Sequence, residues 1–165
     1  MLRYAKRNTG PLAKLDRRAR WGMPIIAVAY ALVWQGSFWT RSPGSWRIVI
    51  SVLFLAIAGL LSWTGTRALG RQWRLDAGLN SDHELVQSGP YRVVRHPIYT
   101  SMFSMLLGTG LLLATPLLLL LPSILLLAIG TEIRVRIEDQ LLASRFGDQF
   151  QDYRRRVSAY IPYLK

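Results

Sequence analysis

Residues 97–131 read PIYTSMFSMLLGTGLLLATPLLLLLPSILLLAIGT and carry no charged side chain. As one α-helix this run would measure about 52 Å at 1.5 Å per residue, well beyond the roughly 30 Å of a bilayer's hydrocarbon core. Thr115-Pro116 lies near the middle of the run, and proline interrupts a continuous helix. The stretch therefore predicts a helical hairpin inside a membrane, with arms over about residues 98–114 and 117–137.

Two further uncharged stretches precede this hairpin. Trp21–Thr40 and Ile48–Thr66 each have an arginine directly before and directly after them. About 20 apolar residues suffice to cross the hydrocarbon core. Trp21–Thr40 is too long and too aromatic for a cleaved signal peptide, so we expect it to stay as an anchor. The sequence thus predicts an all-α integral membrane protein with about four transmembrane helices, including a C-terminal helical hairpin.

The chain of 165 residues is strongly basic, with a formal net charge of +12, although 51% of its residues are hydrophobic. Its lysines and arginines flank the apolar runs and do not form one stripe, which argues for a membrane protein and against nucleic-acid binding. There is no cysteine, and His83 and His96 are the two histidines. This composition excludes a thiolate metal site and a cysteine nucleophile, and we predict no metal site.

Basic residues are spread unevenly over the segments between the apolar runs. Residues 1–20 carry seven Lys or Arg, residues 67–97 five and residues 132–165 seven, against two in the 40–47 loop and none at the hairpin tip. Cytoplasmic segments of membrane proteins are enriched in Lys and Arg. A multi-pass topology with both termini and the 67–97 segment in the cytoplasm is therefore predicted.

The C-terminal tail combines apolar residues at helical spacing with a basic cluster. The cluster is Arg154-Arg155-Arg156, and the apolar positions are Leu142, Phe146, Phe150, Tyr153, Val157 and Tyr160. The pattern is typical of an amphipathic helix on the inner membrane surface. A helix that packs on the bundle and closes it fits the pattern equally well. Without internal repeats, residues 1–165 are interpreted as one domain, with a basic arm and two spans in 1–70.

The predicted hairpin begins just after His96 and returns to the same membrane face near Arg134. It therefore brings Arg92–Tyr99 close to Arg134–Glu138, although the two clusters are about 40 residues apart. Charged groups beside the bilayer core are costly and indicate function. Taken alone, however, Arg134 and Glu138 also have the i,i+4 spacing of an ordinary ion pair on a helix surface.

Pro97 suits the first position of a helix, where no amide donor is needed. The free amides of that helix start, with Arg95 and His96 adjacent, favour a carboxylate or a phosphate. The faces of Tyr91 and Tyr99 suit a cation. Ordinary interfacial side chains would show the same residue types, so these features alone leave both interpretations open.

Two ordered motifs in residues 80–163 resemble the signature of the isoprenylcysteine carboxyl methyltransferase family. The first follows His83-x-Leu85-Val86 and reads Gly89-Pro90-Tyr91 … Arg95-His96-Pro97-Ile98-Tyr99. The second reads Arg134-x-x-x-Glu138-Asp139-x-x-Leu142-x-x-x-Phe146-Gly147-x-x-Phe150-x-x-Tyr153. They flank the predicted hairpin.

This resemblance implies a membrane methyltransferase that uses S-adenosyl-L-methionine and modifies a lipid-like or prenylated acceptor at the inner membrane face. By motif position, the cofactor site would be lined by His83, Leu85, Gly89, Tyr91, His96, Pro97, Tyr99 and Glu138. Arg134 would face the acceptor and Glu138 would hold Arg134, which makes these two the predicted catalytic residues. The oligomeric state is left open.

The chain departs from the family pattern at two positions, with Asp139 in place of a second Glu and Phe150 in place of a usual Tyr. The related phospholipid N-methyltransferases share much of this two-motif signature, so methylation of a phospholipid or small-amphiphile amine is the main alternative. A non-catalytic membrane scaffold is the alternative from another class. A sterol-reductase relative is disfavoured because the chain is short for that bundle. Gly108-Thr109-Gly110 lacks the third glycine of a nucleotide-binding turn and is interpreted as helix packing.

Overall fold

The computed structural model describes residues 19–35, 42–73 and 83–162. Within these ranges the α-helices are α1 (Ala19–Trp34), α2 (Ser45–Leu69), α3 (Pro97–Leu112), α4 (Leu117–Phe146) and α5 (Asp148–Arg156), with short 3-10 turns at Gly70–Gln72 and Gly89–Arg92. The described ranges contain no β-strand beyond an isolated bridge between Val94 and Ser158. The predicted all-α class is confirmed.

Two of the apolar helices are long enough to cross a membrane by length and composition. They are Ser45–Gln72 and Leu117–Phe146, whereas Arg20–Trp34 and Pro97–Leu112 are apolar but shorter. The predicted continuation of the first span as far as Thr40 lies outside the described residues. The outer face of α2 exposes large apolar side chains, as a lipid-facing helix does: Val49, Val52, Leu53 and Leu60. These observations support a membrane protein, and the number of four spans stays a prediction.

The helices pack in two antiparallel pairs, α1 on α4 and α2 on α3. At the hairpin-tip end, Thr115 Oγ1 donates to Val33 O at 3.2 Å. At the other end a Cβ on Gly22 would lie 2.8 Å from Gly130 O, so the backbones of α1 and α4 touch there. The buried apolar core follows the α1–α4 pair and consists of Ile26, Ala29, Val33, Leu106, Leu120 and Leu127.

Gly108 lies where α3 crosses α2. A Cβ there would come within 2.9 Å of Leu55 Cγ, and Ser51 Oγ donates to Gly108 O at 2.7 Å. Only a residue without a side chain permits this approach. The interpretation of Gly108-Thr109-Gly110 as helix packing is therefore confirmed.

The turn at Thr115-Pro116 forms as predicted, but the two arms pack mainly on α2 and α1 and not on each other, and the second arm is longer than expected. α4 continues to Phe146, past the expected end near residue 137, and ends at Gly147, whose φ is +50°. This glycine also divides the tail, which was expected to form one amphipathic helix through Tyr160. Phe150 and Tyr153 on α5 are buried, so the structure favours the alternative in which this helix packs on the bundle.

The antiparallel pairing collects the polar parts of the chain at one end of the bundle. The start of α1, the end of α2, the 83–96 segment and residues from about 132 to 162 meet there. Of the arginines in the described ranges, Arg47 alone lies at the opposite, hairpin-tip end. This polar end carries the site described next.

Candidate functional site

A cavity of about 590 Å³ lies between the helices at the polar end of the bundle. Volumes of this size are typical of small-molecule sites. One half of its wall is apolar and comes from α1, α2 and α3: Met23, Leu55, Ala58, Gly59, Met102 and Met105. The other half, called the polar half below, comes from the 83–99 segment and the end of α4 and carries the charged side chains of the site, together with apolar residues such as Leu85 and Leu142. The two halves are continuous, so the cavity is amphipathic.

Most of the residues predicted for the site line this cavity. They are His83, Leu85, Tyr91, His96, Tyr99, Arg134 and Glu138. The predicted proximity of the two charged clusters flanking the hairpin is therefore confirmed. The ring of His83 is placed 6.4 Å from that of Phe146, so the extra turns of α4 hold one wall of the site.

Gly89 and Pro97 were expected in the wall of the site and are not among its lining residues. Gly89 has a φ of +58° and begins the 3-10 turn that carries Tyr91. Pro97 is buried at the start of α3, where a Cβ on Gly65 would lie 3.6 Å from its Cγ. Both residues shape the backbone that presents the lining side chains, and their part in a cofactor site stays a prediction.

Tyr99 joins the two predicted catalytic residues. Its hydroxyl donates to Glu138 Oε1 at 2.5 Å and accepts from Arg134 Nε at 2.7 Å. Arg134 Nη2 also lies 3.6 Å from Glu138 Oε1. Arg134 is only 6% exposed, so the i,i+4 ion pair is present but does not lie on the helix surface, and the catalytic role of the two residues stays a prediction. The contact with Gly22 explains this burial, since a Cβ there would lie 2.5 Å from Arg134 Cγ.

His96 lies between two carboxylates of α4. Its Nε2 is 3.0 Å from Asp139 Oδ1, and its Nδ1 is 3.7 Å from Glu138 Oε2. The other carboxylate oxygen of Asp139 accepts from Arg95 Nη2 at 3.0 Å. Asp139 therefore ties both residues of the Arg95-His96 pair to α4.

Residues near the C-terminal end of the described chain form hydrogen bonds with the Arg95-His96 part of the first motif. We name residues 157–160 the C-terminal strap. The backbone amides of Arg95 and His96 donate to Ser158 O and Ala159 O, at 2.8 and 3.0 Å. Arg95 Nη1 donates to Val157 O at 2.7 Å. The strap therefore fixes the segment that carries His96.

Two buried tyrosines complete this polar end. The hydroxyl of Tyr153 donates to Tyr91 O at 2.6 Å. Burial raises the pKa of Tyr153 to about 12, so the hydroxyl keeps its proton at neutral pH. Burial, together with the carboxylate of Glu138, also raises the pKa of Tyr91. Both phenols are therefore neutral at physiological pH.

Sequence reasoning did not place Asp139 or the α2 wall in the site. Asp139 was noted only as a departure from the family pattern, although its position next to Glu138 is a usable signal. Ala58 and Gly59 carry no chemical signal, because small apolar residues are ordinary in membrane helices. Within the described ranges no three His, Asp or Glu side chains are grouped so as to hold a metal ion.

The sequence profile of the isoprenylcysteine carboxyl methyltransferase family matches residues 49–144. This match includes most of α2, the 83–96 segment and most of α4. It therefore covers both halves of the cavity wall.

Individual relatives fall into two groups by name. The nickel-cobalt-cadmium resistance protein NccN of Alcaligenes xylosoxydans xylosoxydans is 34% identical over 160 residues, which cover 86% of this chain and 73% of the relative. The cobalt-zinc-cadmium resistance protein CzcN of Cupriavidus metallidurans is 32% identical over 139 residues, covering 73% and 63%. The protein-S-isoprenylcysteine O-methyltransferase of Schizosaccharomyces pombe is 40% identical over 85 residues, covering 52% of this chain and 36% of the relative.

Proposed function

The chain belongs to the isoprenylcysteine carboxyl methyltransferase family, and on this premise we propose that it transfers a methyl group from S-adenosyl-L-methionine to the carboxylate of a lipid-like acceptor at the cytoplasmic membrane face. The observation that carries the proposal is the amphipathic cavity, whose polar end holds both family motifs and whose other half is apolar. A lipid-like acceptor needs a polar surface for its carboxylate and an apolar surface for its chain.

The polar half fits the methyl donor. His83, Leu85, Tyr91, His96 and Glu138 would hold it, because aromatic faces and a carboxylate favour a sulfonium cation. When bound, S-adenosyl-L-methionine supplies an activated methyl group on a positively charged sulfur. Tyr91 and Glu138 both line the cavity. No residue needs to act as a nucleophile, since the acceptor itself provides the attacking oxygen.

Arg134 is proposed to orient the acceptor carboxylate. Its guanidinium is fixed through Nε by Tyr99 and lies beside Glu138, so its direction is set before the acceptor binds. In this displacement reaction, alignment of the two reactants lowers the barrier more than general acid–base catalysis does. A carboxylate that gains a methyl group becomes an ester and loses no proton, so the site needs no general base.

The low-water environment of the cavity favours this chemistry. A carboxylate and a sulfonium carry opposite charges that are neutralised as the methyl group moves. Charge pairing of this kind is stronger where water is excluded. Phe150 is fully buried and lines the cavity, and we propose that it helps to exclude water there.

The concentration of arginines at one end of the bundle supports a cytoplasmic position of the site. The cofactor would then reach the cavity from its cytosolic pool. Fixed arginines at this end also suit the anionic inner leaflet, because basic residues near such a surface are attracted to it.

An amine acceptor is the second candidate. Glu138 is 26% exposed on its side chain and stands beside Tyr99, a combination that would also bind an ammonium group. An amine must lose a proton to accept a methyl group, and His96 or Glu138 would have to take it.

The test is methyl transfer by purified protein in lipid nanodiscs. Labelled S-adenosyl-L-methionine is offered with N-acetyl-S-farnesylcysteine, its carboxamide and phosphatidylethanolamine. We expect label in the farnesylcysteine product, released as volatile methanol by base, and none in the carboxamide. Base-stable label in phosphatidylethanolamine would support the amine alternative. Transfer to none of the three would contradict the proposed acceptor class.

A further inference from the structure

The apolar half of the cavity has an unusual composition. Met23, Met102 and Met105, which are all the methionines of the described ranges, line it. They come from α1 and α3 and line this half together with the α2 residues Leu55, Ala58 and Gly59. Methionine is flexible and polarisable, so a wall of methionines adapts to apolar ligands of different shape.

Gly59 lies in the apolar wall and is also exposed. A Cβ added at Gly59 would meet no atom within 4 Å. Gly59 differs in this respect from Gly22, Gly108 and Gly130, where an added Cβ would collide with a neighbouring helix. Close packing therefore does not require a glycine at position 59, and its lack of a side chain leaves space in the cavity.

Gly59 lies at the least covered part of the apolar half. α1 and α2 do not form one of the major helix pairs within the described ranges, where α1 packs on α4 and α2 on α3. Met105 also lines the cavity and is 42% exposed. Neighbouring helices therefore cover the apolar half least at Gly59 and Met105. Along α3, Met105 lies about 9 Å from Tyr99.

With the apolar chain of the proposed acceptor in this half of the cavity, we propose that the cavity opens sideways beside Gly59 and that Gly59 determines which chains are accepted. The acceptor would then be an amphiphile whose carboxylate reaches Arg134 while its chain passes Gly59 toward the bilayer. This inference rests on the proposed methyl-transfer function and adds the part of the site that selects the acceptor.

A size series tests the role of Gly59. The measured quantity is kcat/KM for N-acetylcysteine acceptors with geranyl, farnesyl and geranylgeranyl chains. Gly59→Leu should lower kcat/KM for the geranylgeranyl acceptor about tenfold or more relative to the geranyl acceptor, because the added side chain narrows the opening. Ala56→Leu is the matched control, since Ala56 is exposed on the same helix and does not line the cavity. An unchanged ratio in Gly59→Leu would overturn the proposal.

A second measurement does not depend on turnover. The chain has no cysteine, so Gly59→Cys and Ala56→Cys each create a unique thiol. Labelling by N-ethylmaleimide in detergent is followed with and without N-acetyl-S-farnesylcysteine, in the presence of S-adenosylhomocysteine. Protection of the thiol at position 59 but not at position 56 supports the proposal even if no methyl is transferred. Equal labelling with and without the acceptor at position 59 overturns it, whatever the methyl-transfer assay shows.

Discussion

Tyr99 and Glu138, which are 39 residues apart in the chain, are joined by a hydrogen bond of 2.5 Å from the tyrosine hydroxyl to Oε1. The bond links the start of α3 to the last third of α4, and Arg134 donates to the same hydroxyl. Two helices that meet through one polar hydroxyl therefore set the direction of the guanidinium in the cavity.

Tyr99→Phe should remove this link while keeping the ring. Arg134 and Glu138 would lose their shared partner, and a hydrogen bond to a charged group contributes about 1.5–3 kcal/mol. We expect turnover to fall about tenfold or more. The control is Tyr30→Phe, which removes a hydroxyl that donates to Met102 O at 2.7 Å and should affect stability more than turnover. Equal turnover in Tyr99→Phe and wild type would show that the hydroxyl does not orient Arg134.

Arg134→Lys keeps the positive charge and loses the planar fork that fixes a carboxylate. Turnover should fall about tenfold or more, equivalent to about 1.4 kcal/mol or more of transition-state stabilisation, with little change in cofactor affinity. Arg136→Lys is the control, because Arg136 is exposed and pairs with Glu132 at 2.7 Å outside this cavity. Full activity in Arg134→Lys would contradict bidentate binding of the acceptor carboxylate by the guanidinium of Arg134.

Glu138→Gln should lower both turnover and affinity for S-adenosylhomocysteine. The carboxylate of Glu138 accepts a hydrogen bond from Tyr99 and lies near both His96 and Arg134. The neutral amide of glutamine would weaken the interactions with His96 and with Arg134 at once. Removing one partner of a buried pair also leaves the charge of Arg134 uncompensated. Turnover is measured with a working acceptor, and the affinity for S-adenosylhomocysteine is measured by calorimetry. If neither quantity changes in Glu138→Gln, this role of Glu138 is contradicted.

Gly130→Val should destabilise the protein by about 1–3 kcal/mol, because the new side chain collides with Gly22 O and Ile26 Cγ1, which lie 2.9 and 2.8 Å from the Cβ position. The collision also displaces α1, which carries the contact to Arg134. Gly59→Ala is the control, since an added Cβ there meets nothing within 4 Å, and helix propensity favours alanine. Thermal unfolding in detergent measures both. Equal unfolding temperatures for the two variants would contradict the packing account of the α1–α4 pair.

The sequence predicts the parts of this site that follow from local patterns, and it does not predict those that depend on contacts between distant residues. The uncharged run with Thr115-Pro116 predicts the hairpin, and the hairpin in turn predicts that His96 and Arg134 meet. The end of α4 was placed too early, because residues after about 137 are polar and a membrane-span criterion stops there although the helix continues. Asp139 shows its role only in three dimensions, where one carboxylate receives both Arg95 and His96.

Calorimetry of S-adenosylhomocysteine binding tests most directly whether the polar half of the cavity binds the methyl donor. Purified wild-type protein in detergent should bind it, and His96→Ala should weaken the affinity about tenfold or more, because His96 lines the cavity between two carboxylates. Val93→Ala, at an exposed position three residues earlier, should bind like wild type. Unchanged affinity in both His96→Ala and Tyr91→Ala, with both proteins folded, would contradict the placement of the site in this cavity.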